Sequence, residues 1–122
     1  MPTPRQAALG TLGELLACRE LRRRGYAILA RGFRTRHGEI DIVARDGDVL
    51  VFVEVKARAG RRYGTALEAV TARKQRRVAA MARSYLARAG WGERPCRFDV
   101  VAVTGREAER AQVTVVRNAF SL

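Results

Sequence analysis

The chain has 122 residues, which is enough for one domain with one hydrophobic core, so we expect a single domain over residues 1–122. Its 24 basic and 12 acidic residues give a net charge of +12, which favours a polyanionic partner, nucleic acid before an anionic membrane surface. No apolar run near its start is long enough for a signal peptide or a membrane span. The sequence therefore predicts a cytoplasmic protein that does not enter the membrane.

The first half of the chain has the pattern of one helix followed by three strands. Thr3-Pro4 is a favourable helix start and Gly25 is a stop, and residues 26–33 form the first predicted strand. After a short basic connection, residues 39–45 and 49–57 alternate between apolar and other side chains around Asp46-Gly47. Because both residues of this dipeptide tolerate positive φ, they predict a tight turn between two paired strands.

The second half has the pattern of one helix followed by two strands. Thr71 is a suitable helix cap, and the predicted helix ends near Gly90 with Val78, Met81 and Tyr85 on its buried stripe. Residues 97–103 and 112–117 are the last two predicted strands. The predicted element order is therefore αβββαββ, which is typical of an α/β protein.

Charged residues interrupt the two apolar strands on either side of the predicted turn. If Asp46 and Gly47 form a two-residue turn, Asp41 lies on the same face as Glu54 and diagonal to it. Diagonal side chains start about 7–8 Å apart, so the two carboxylates can converge on one cation. Lys56 shares this face because it lies two residues beyond Glu54. Hard oxygen ligands of this kind suit Mg²⁺ or Mn²⁺. In this register the opposed apolar residues are Ala44 with Val49, Ile42 with Val51, and Ile40 with Val53.

The first predicted helix carries a glutamate among small side chains. The neighbours of Glu14 on the same side of the helix are Ala7, Gly10, Ala17, Cys18 and Leu21, whereas the arginines of the helix lie elsewhere. Such a face can pack closely on another element and bring a carboxylate with it. The alternative is a single charge at the edge of a packed face.

These charged residues form a pattern of Glu14 on the first helix, then Asp41, and then Glu54-Val55-Lys56, thirteen positions after the aspartate. The pattern resembles the PD-(D/E)XK nuclease superfamily, in particular the archaeal Holliday-junction resolvases. The segments GTLGELLA, GEIDIVARDGD, LVFVEVKAR, RFDVV and RNAF resemble more closely the YraN family of uncharacterised bacterial proteins, over residues 10–120. The resemblance implies a restriction-endonuclease-like mixed sheet that is flanked by helices and gathers its acidic residues at one end.

The resemblance also implies an activity, which is metal-dependent hydrolysis of phosphodiester bonds in DNA, with branched or junction DNA as one substrate. Asp41 and Glu54 would ligate Mg²⁺ or Mn²⁺, and Glu14 would hold the ion directly or through water. Lys56 would stabilise the developing negative charge, or orient or deprotonate the attacking water. Glu39 either faces the metal or lies in water at the frayed end of its strand.

Binding of a nucleic acid requires a positive surface around the acidic cluster, because phosphates must approach carboxylates that repel them. Lys74 lies four residues before Val78, so we expect it on the core-facing stripe of the second helix, near the end of the sheet. The alternation around Asp99 indicates a structural hydrogen-bonding residue at the sheet edge. The candidate nucleic-acid-binding residues are Arg34, Arg36, His37, Arg58, Arg61, Arg62, Lys74 and Arg77.

Two alternatives to a nuclease stay open at this point. One is a non-catalytic nucleic-acid-binding protein that keeps a nuclease-like fold as a scaffold. The other is an accessory protein that docks on a larger complex, for which Leu9, Leu12 and Leu16 would form an exposed apolar patch on the side of the first helix away from Glu14. The same row of leucines could equally form a homodimer contact.

Overall fold

The computed structural model describes residues 4–58, 71–92, 94–105 and 109–120, with side chains for 10–57, 71–92, 94–105 and 109–119. These parts of the chain contain two helices and five strands in the predicted order αβββαββ, which confirms the mixed α/β fold. The elements are α1 Pro4–Arg23, β1 Ala27–Thr35, β2 Gly38–Asp46, β3 Val49–Arg58, α2 Ala72–Ala89, β4 Cys96–Thr104 and β5 Gln112–Phe120.

The five strands form one mixed sheet in the order β1-β2-β3-β4-β5. The pairs β1–β2, β2–β3 and β4–β5 are antiparallel, whereas β3 and β4 are parallel. A parallel pair needs a long crossover, and the chain makes this crossover through α2. β3 is therefore the middle strand, and its first five residues are buried or nearly so on both faces.

The helix α1 covers one face of the sheet. Leu16, Ala17 and Leu21 pack in one core cluster with Val51 and Val53 of β3. Large apolar side chains that are buried in this way each contribute roughly 1.5–3 kcal/mol to folding. This layer therefore fixes α1 against the central strand.

The helix α2 covers the opposite face. Met81 packs with Phe52, whose position in β3 alternates with the residues that contact α1. The helix begins as predicted, because Thr71 Oγ1 accepts the N–H of Lys74 at 3.2 Å. It also ends as predicted, at Gly90, whose φ of 62° is left-handed. Within the described residues, neither helix combines the length and the apolar composition that a membrane crossing requires.

The β2–β3 hairpin differs from the predicted register by two residues. Ile42 pairs with Val53, not with Val51. The two turn residues are Gly47 and Asp48, one position later than predicted, and Gly47 has a φ of 61°. A glycine with positive φ at the first central position is typical of a type II′ turn. The predicted turn position and pairing were therefore wrong.

The leucines predicted to lie exposed on α1 belong to the core instead. Leu16 is buried, and Leu12 packs against the same cluster, whereas the side chain of Leu9 lies outside the described residues. A helix that lies across a sheet buries an arc of about 100° or more, which here includes both positions. Leu15, with 51% of its surface accessible, is the exposed leucine of this turn. The predicted docking or dimer patch was therefore wrong for Leu12 and Leu16.

Asp99 is a buried acid on the interior strand β4, and not at the sheet edge as predicted. Its carboxylate accepts hydrogen bonds from Tyr26 Oη at 3.0 Å, Arg97 Nε at 2.9 Å and the backbone N–H of Asn118 at 2.9 Å. A buried carboxylate with these partners is satisfied and joins β4 to β5 and to the start of β1. The predicted structural role agrees with this geometry.

Candidate active site

Asp41 lies where β2 and β3 separate. Backbone pairing between these strands ends at Ile42 and Val53. Two residues further along β3, the N–H of Val55 donates to Asp41 Oδ2 at 2.8 Å. Ile40 packs on the α2 side of the sheet although Ile42 packs on the α1 side, so the predicted alternation of β2 is interrupted at Asp41. The aspartate side chain thus bridges two diverging strands in place of a backbone carbonyl.

Three carboxylates meet at this point. One oxygen each of Glu14, Glu39 and Asp41 lies within 4.8 Å of the other two. Glu39 and Asp41 come from β2, whereas Glu14 comes from α1. We call these three residues the carboxylate cluster.

Close packing of α1 on β3 brings Glu14 into the cluster. A Cβ atom added to Gly13 would lie 2.7 Å from Ala57 Cβ and 3.8 Å from Val55 Cγ1. The contact of 2.7 Å is closer than Cβ atoms approach in real proteins. The glycine therefore permits a helix-to-strand distance that a larger residue would not. Its neighbour Glu14 reaches the end of the sheet because of this approach.

The carboxylates of the cluster destabilise each other's charge. The pKa of Asp41 rises from 3.8 to about 7, because burial and the nearby carboxylates of Glu54 and Glu14 together outweigh the hydrogen bond from Val55 and the charge of Lys74. Burial also raises the pKa of Glu14, although the charge of Arg31 opposes this. A proton or a cation at this point would relieve the repulsion.

Glu54 forms a second group with two lysines. Lys56 Nζ lies 3.3 Å from Glu54 Oε1, and the ammonium of Lys74, from α2, contacts the same oxygen. Burial lowers the pKa of Lys56, and the adjacent Lys74 lowers it further. Burial is also the largest single effect on Lys74 and lowers its pKa, but the hydrogen bonds to Glu54 and Lys56 and the charges of Glu54 and Asp41 together outweigh burial and raise the pKa of Lys74. Glu54 is thus neutralised within the chain.

The structure therefore divides the predicted ligands into two neighbouring groups. Glu14 and Asp41 lie together as predicted, and Glu39, which was left ambiguous, joins them. Glu54 lies close enough to raise the pKa of Asp41, but its carboxylate contacts lysines. Its role as a metal ligand stays a prediction.

Lys74 was predicted to contact phosphate, and in the structure its ammonium pairs with Glu54, so the phosphate contact stays a prediction. Two features of the sequence indicated that this residue differs from the other basic ones. It lies on the helix stripe defined by Val78, and it is one of two lysines among 24 basic residues.

A cavity of about 230 Å³ opens beside Glu54, between α2 and the start of β2. Three predicted nucleic-acid-binding residues line it, namely His37, Lys74 and Arg77. The cavity thus joins the acidic groups to a positive wall and an apolar floor. Its lining residues are His37, Gly38, Glu39, Glu54, Lys74, Arg77, Val78 and Met81.

The other predicted nucleic-acid-binding residues lie around the cavity or outside the described part. Arg34 Nε donates to Glu39 Oε2 at 3.2 Å, and Arg36 Nε donates to His37 Nε2 at 3.4 Å. Both arginines are exposed. The side chain of Arg58 and all of Arg61 and Arg62 lie outside the described residues.

The carboxylate cluster fits a hard divalent ion. Its donors are carboxylate oxygens, which Mg²⁺ and Mn²⁺ prefer. Oxygens at about 2.1 Å from one Mg²⁺ ion are at most about 4.2 Å apart. The observed limit of 4.8 Å therefore requires small side-chain rotations only.

Fold and site together define an α/β domain that presents carboxylates and lysines at one end of a five-stranded mixed sheet. The model of the uncharacterised protein family UPF0102 matches residues 13–103, so the chain belongs to this family, which confirms the resemblance to the YraN proteins. The UPF0102 protein of Symbiobacterium thermophilum is 55% identical over 112 residues, which cover 92% of this chain and 95% of that protein. The UPF0102 protein of Magnetococcus marinus is 45% identical over 116 residues, 94% of this chain and 93% of that protein.

Proposed function

We propose that the protein is a metal-dependent endonuclease that hydrolyses phosphodiester bonds in DNA. The observation that carries this proposal is the meeting of Glu14, Glu39 and Asp41 beside a cavity lined by His37 and Arg77. Carboxylates that repel each other next to a positive wall suit a site that takes a divalent ion and a phosphate together. The resemblance of the motif to the PD-(D/E)XK superfamily supports the same reaction.

Each charged residue has a role in this proposal. Glu14, Glu39 and Asp41 would hold Mg²⁺ or Mn²⁺, which when bound neutralises charge on the scissile phosphate and lowers the pKa of its water. Glu54 orients Lys56, whose ammonium stabilises the negative charge that develops on the phosphate. His37 and Arg77, with the exposed arginines near them, bind adjacent phosphates. Branched DNA is the first substrate to test, by analogy with the resolvases.

One observation favours the alternative of a non-catalytic nucleic-acid-binding protein. Lys56 and Lys74 neutralise Glu54 without any ion, so this half of the site is complete within the chain. The carboxylate cluster argues against the alternative, because a protein that only binds phosphates has no use for three converging acids.

Cleavage assays on an acid-to-amide variant test the proposal. Purified protein with Mg²⁺ or Mn²⁺ is incubated with branched, single-stranded and duplex DNA. Asp41→Asn is expected to lower the cleavage rate by about 100-fold or more, because it removes a charged ligand. DNA binding should be unchanged or tighter, since a negative charge beside the phosphate is lost. Asp48→Asn, an identical change at an exposed turn residue, should cleave like the wild type.

The same assays distinguish the two functions. Absence of cleavage with either ion would contradict the nuclease proposal, and absence of calorimetric ion binding would contradict the proposed metal site as well. DNA binding that persists in that case would support the binding protein.

A further inference from the structure

Lys74 belongs both to the acidic groups and to the cavity. Its ammonium contacts Glu54 Oε1, and its side chain lines the cavity together with His37 and Arg77. Its backbone N–H donates to the Thr71 cap, which fixes the residue in the first turn of α2. One flexible side chain therefore lies between the carboxylate of Glu54 and a cavity that Arg77 also lines.

Glu54 retains a positive partner if Lys74 moves away. Lys56 Nζ lies 3.3 Å from the same oxygen and comes from the same strand, two residues further on. Two ammonium groups at one oxygen also repel each other, which lowers the free energy needed to remove one of them. Lys74 is the exchangeable partner because it comes from a different element and lines the cavity.

A phosphate in the cavity would offer Lys74 a new partner. The guanidinium of Arg77 is a hydrogen-bond donor in the same lining, and an ammonium binds phosphate as a point charge. Glu39 of the carboxylate cluster lines the same cavity as Glu54, so Glu54 lies beside the ion that the cluster would hold. The position of Lys74 therefore affects what Glu54 can bind.

We propose, on the basis of the proposed function, that Lys74 is a positioning residue that exchanges between Glu54 and a phosphate of the bound strand. Without a strand, its ammonium holds Glu54. A phosphate in the cavity takes the ammonium and leaves Glu54 available, beside Asp41, to a divalent ion. Strand and ion then strengthen each other's binding, because each favours the arrangement in which Lys74 has left Glu54.

Calorimetric titration of Mn²⁺ into the wild type and Lys74→Gln tests this exchange. Each protein is titrated alone and with a saturating oligothymidylate whose bridging ester oxygens are replaced by methylene groups. This probe keeps the phosphate charge and resists hydrolysis. We expect it to lower the Kd of Mn²⁺ for the wild type about fivefold or more. Lys74→Gln alone should bind Mn²⁺ about fivefold or more tightly than the wild type, with a smaller further effect of the probe.

Two controls make the result specific to the ion pair. Arg76→Gln removes the same charge from an exposed residue of the same helix, and should change the Kd of Mn²⁺ by less than about twofold because exposed charges are screened. In a Glu54→Gln background, Lys74→Gln should no longer tighten Mn²⁺ binding, since the carboxylate that it frees is absent. Circular dichroism confirms that each variant is folded.

The outcomes separate this inference from the proposed function. Tighter Mn²⁺ binding by Lys74→Gln, without cleavage by the wild type, would support the exchange and contradict only the nuclease. If Lys74→Gln binds Mn²⁺ no more tightly than Arg76→Gln does, the exchange is overturned even if the protein cleaves DNA. Failure of both wild type and Lys74→Gln to bind Mn²⁺ would overturn both.

Discussion

In the metal-free protein the carboxylate of Asp41 has two opposed effects. It accepts the N–H of Val55 at 2.8 Å, which stabilises the point where β2 and β3 diverge. Its negative charge, however, is partly buried near Glu54 and Glu14, and its pKa therefore rises to about 7. A neutral side chain with the same acceptor would keep the first effect and remove the second.

The stability of the metal-free protein should consequently depend on pH through Asp41. Its pKa is 3.8 in the unfolded chain and about 7 in the folded one, so between these values the folded state binds the additional proton. The free energy of unfolding must then decrease as pH rises from about 4 to about 7. Over this pH range the free energy of unfolding of the wild type should fall by on the order of 1–3 kcal/mol, and that of Asp41→Asn should not. Urea denaturation in EDTA measures both.

Asp48→Asn serves as the matched control for this titration, because Asp48 is exposed in the β2–β3 turn. Its unfolding free energy should follow the wild-type pH profile. A wild-type profile that is flat over this pH range, or one that Asp41→Asn leaves unchanged, would show that Asp41 is not the group that binds the additional proton.

Several residues of the site could be predicted from the sequence, whereas their partners could not. Alternation placed Glu54 and Lys56 on one face of β3, and this holds in the structure. The predicted pairing of Ile42 was two residues off, because a shift by two leaves every side chain on its face and the apolar pattern cannot detect it. The interruption at Asp41, which brings Glu39 into the cluster, depends on a tertiary hydrogen bond that no local pattern encodes.

At the level of elements, the packing of α1 on β3 decides where Glu14 lies. Gly13 contacts Ala57 so closely that an added Cβ would be 2.7 Å from Ala57 Cβ, whereas a Cβ on Gly10 would meet nothing within 4 Å. The order of the elements and the two caps of α2 follow from local signals and were predicted. The glycine that permits the close approach was not, because a contact between distant elements leaves no mark on helical periodicity.

These two glycines give a matched test of the packing. Alanine in place of a helical glycine gains about 1 kcal/mol from helix propensity, so Gly10→Ala should raise the free energy of unfolding by about that amount. Gly13→Ala has the same gain but overpacks the interface at a cost of about 1–3 kcal/mol, so it should be neutral or destabilising. Urea denaturation measures both. Equal stabilisation by the two substitutions would contradict the close contact at Gly13.

Over the whole molecule, acidic residues are few and unevenly placed. The chain carries 12 acidic against 24 basic residues, and Glu14, Glu39, Asp41 and Glu54 bring a third of the acids to one end of the sheet. The net charge of +12 predicted a polyanionic partner, but composition alone could not place the negative charge within a positive surface. That placement required the fold.

The positive surface gives a last prediction, on the salt dependence of DNA binding. Each phosphate neutralised on a duplex contributes roughly 0.9 to the slope of log K against log salt concentration. Arg77 lines the cavity, so Arg77→Gln should weaken binding and reduce this slope by about one. Arg83→Gln removes the same charge from an exposed position of α2 outside the cavity lining, and should keep the wild-type slope. Fluorescence anisotropy with a labelled duplex, in EDTA over a range of salt concentrations, measures both slopes. An equal loss of slope in the two variants would mean that DNA contacts the helix surface generally, and not through the cavity beside Glu54.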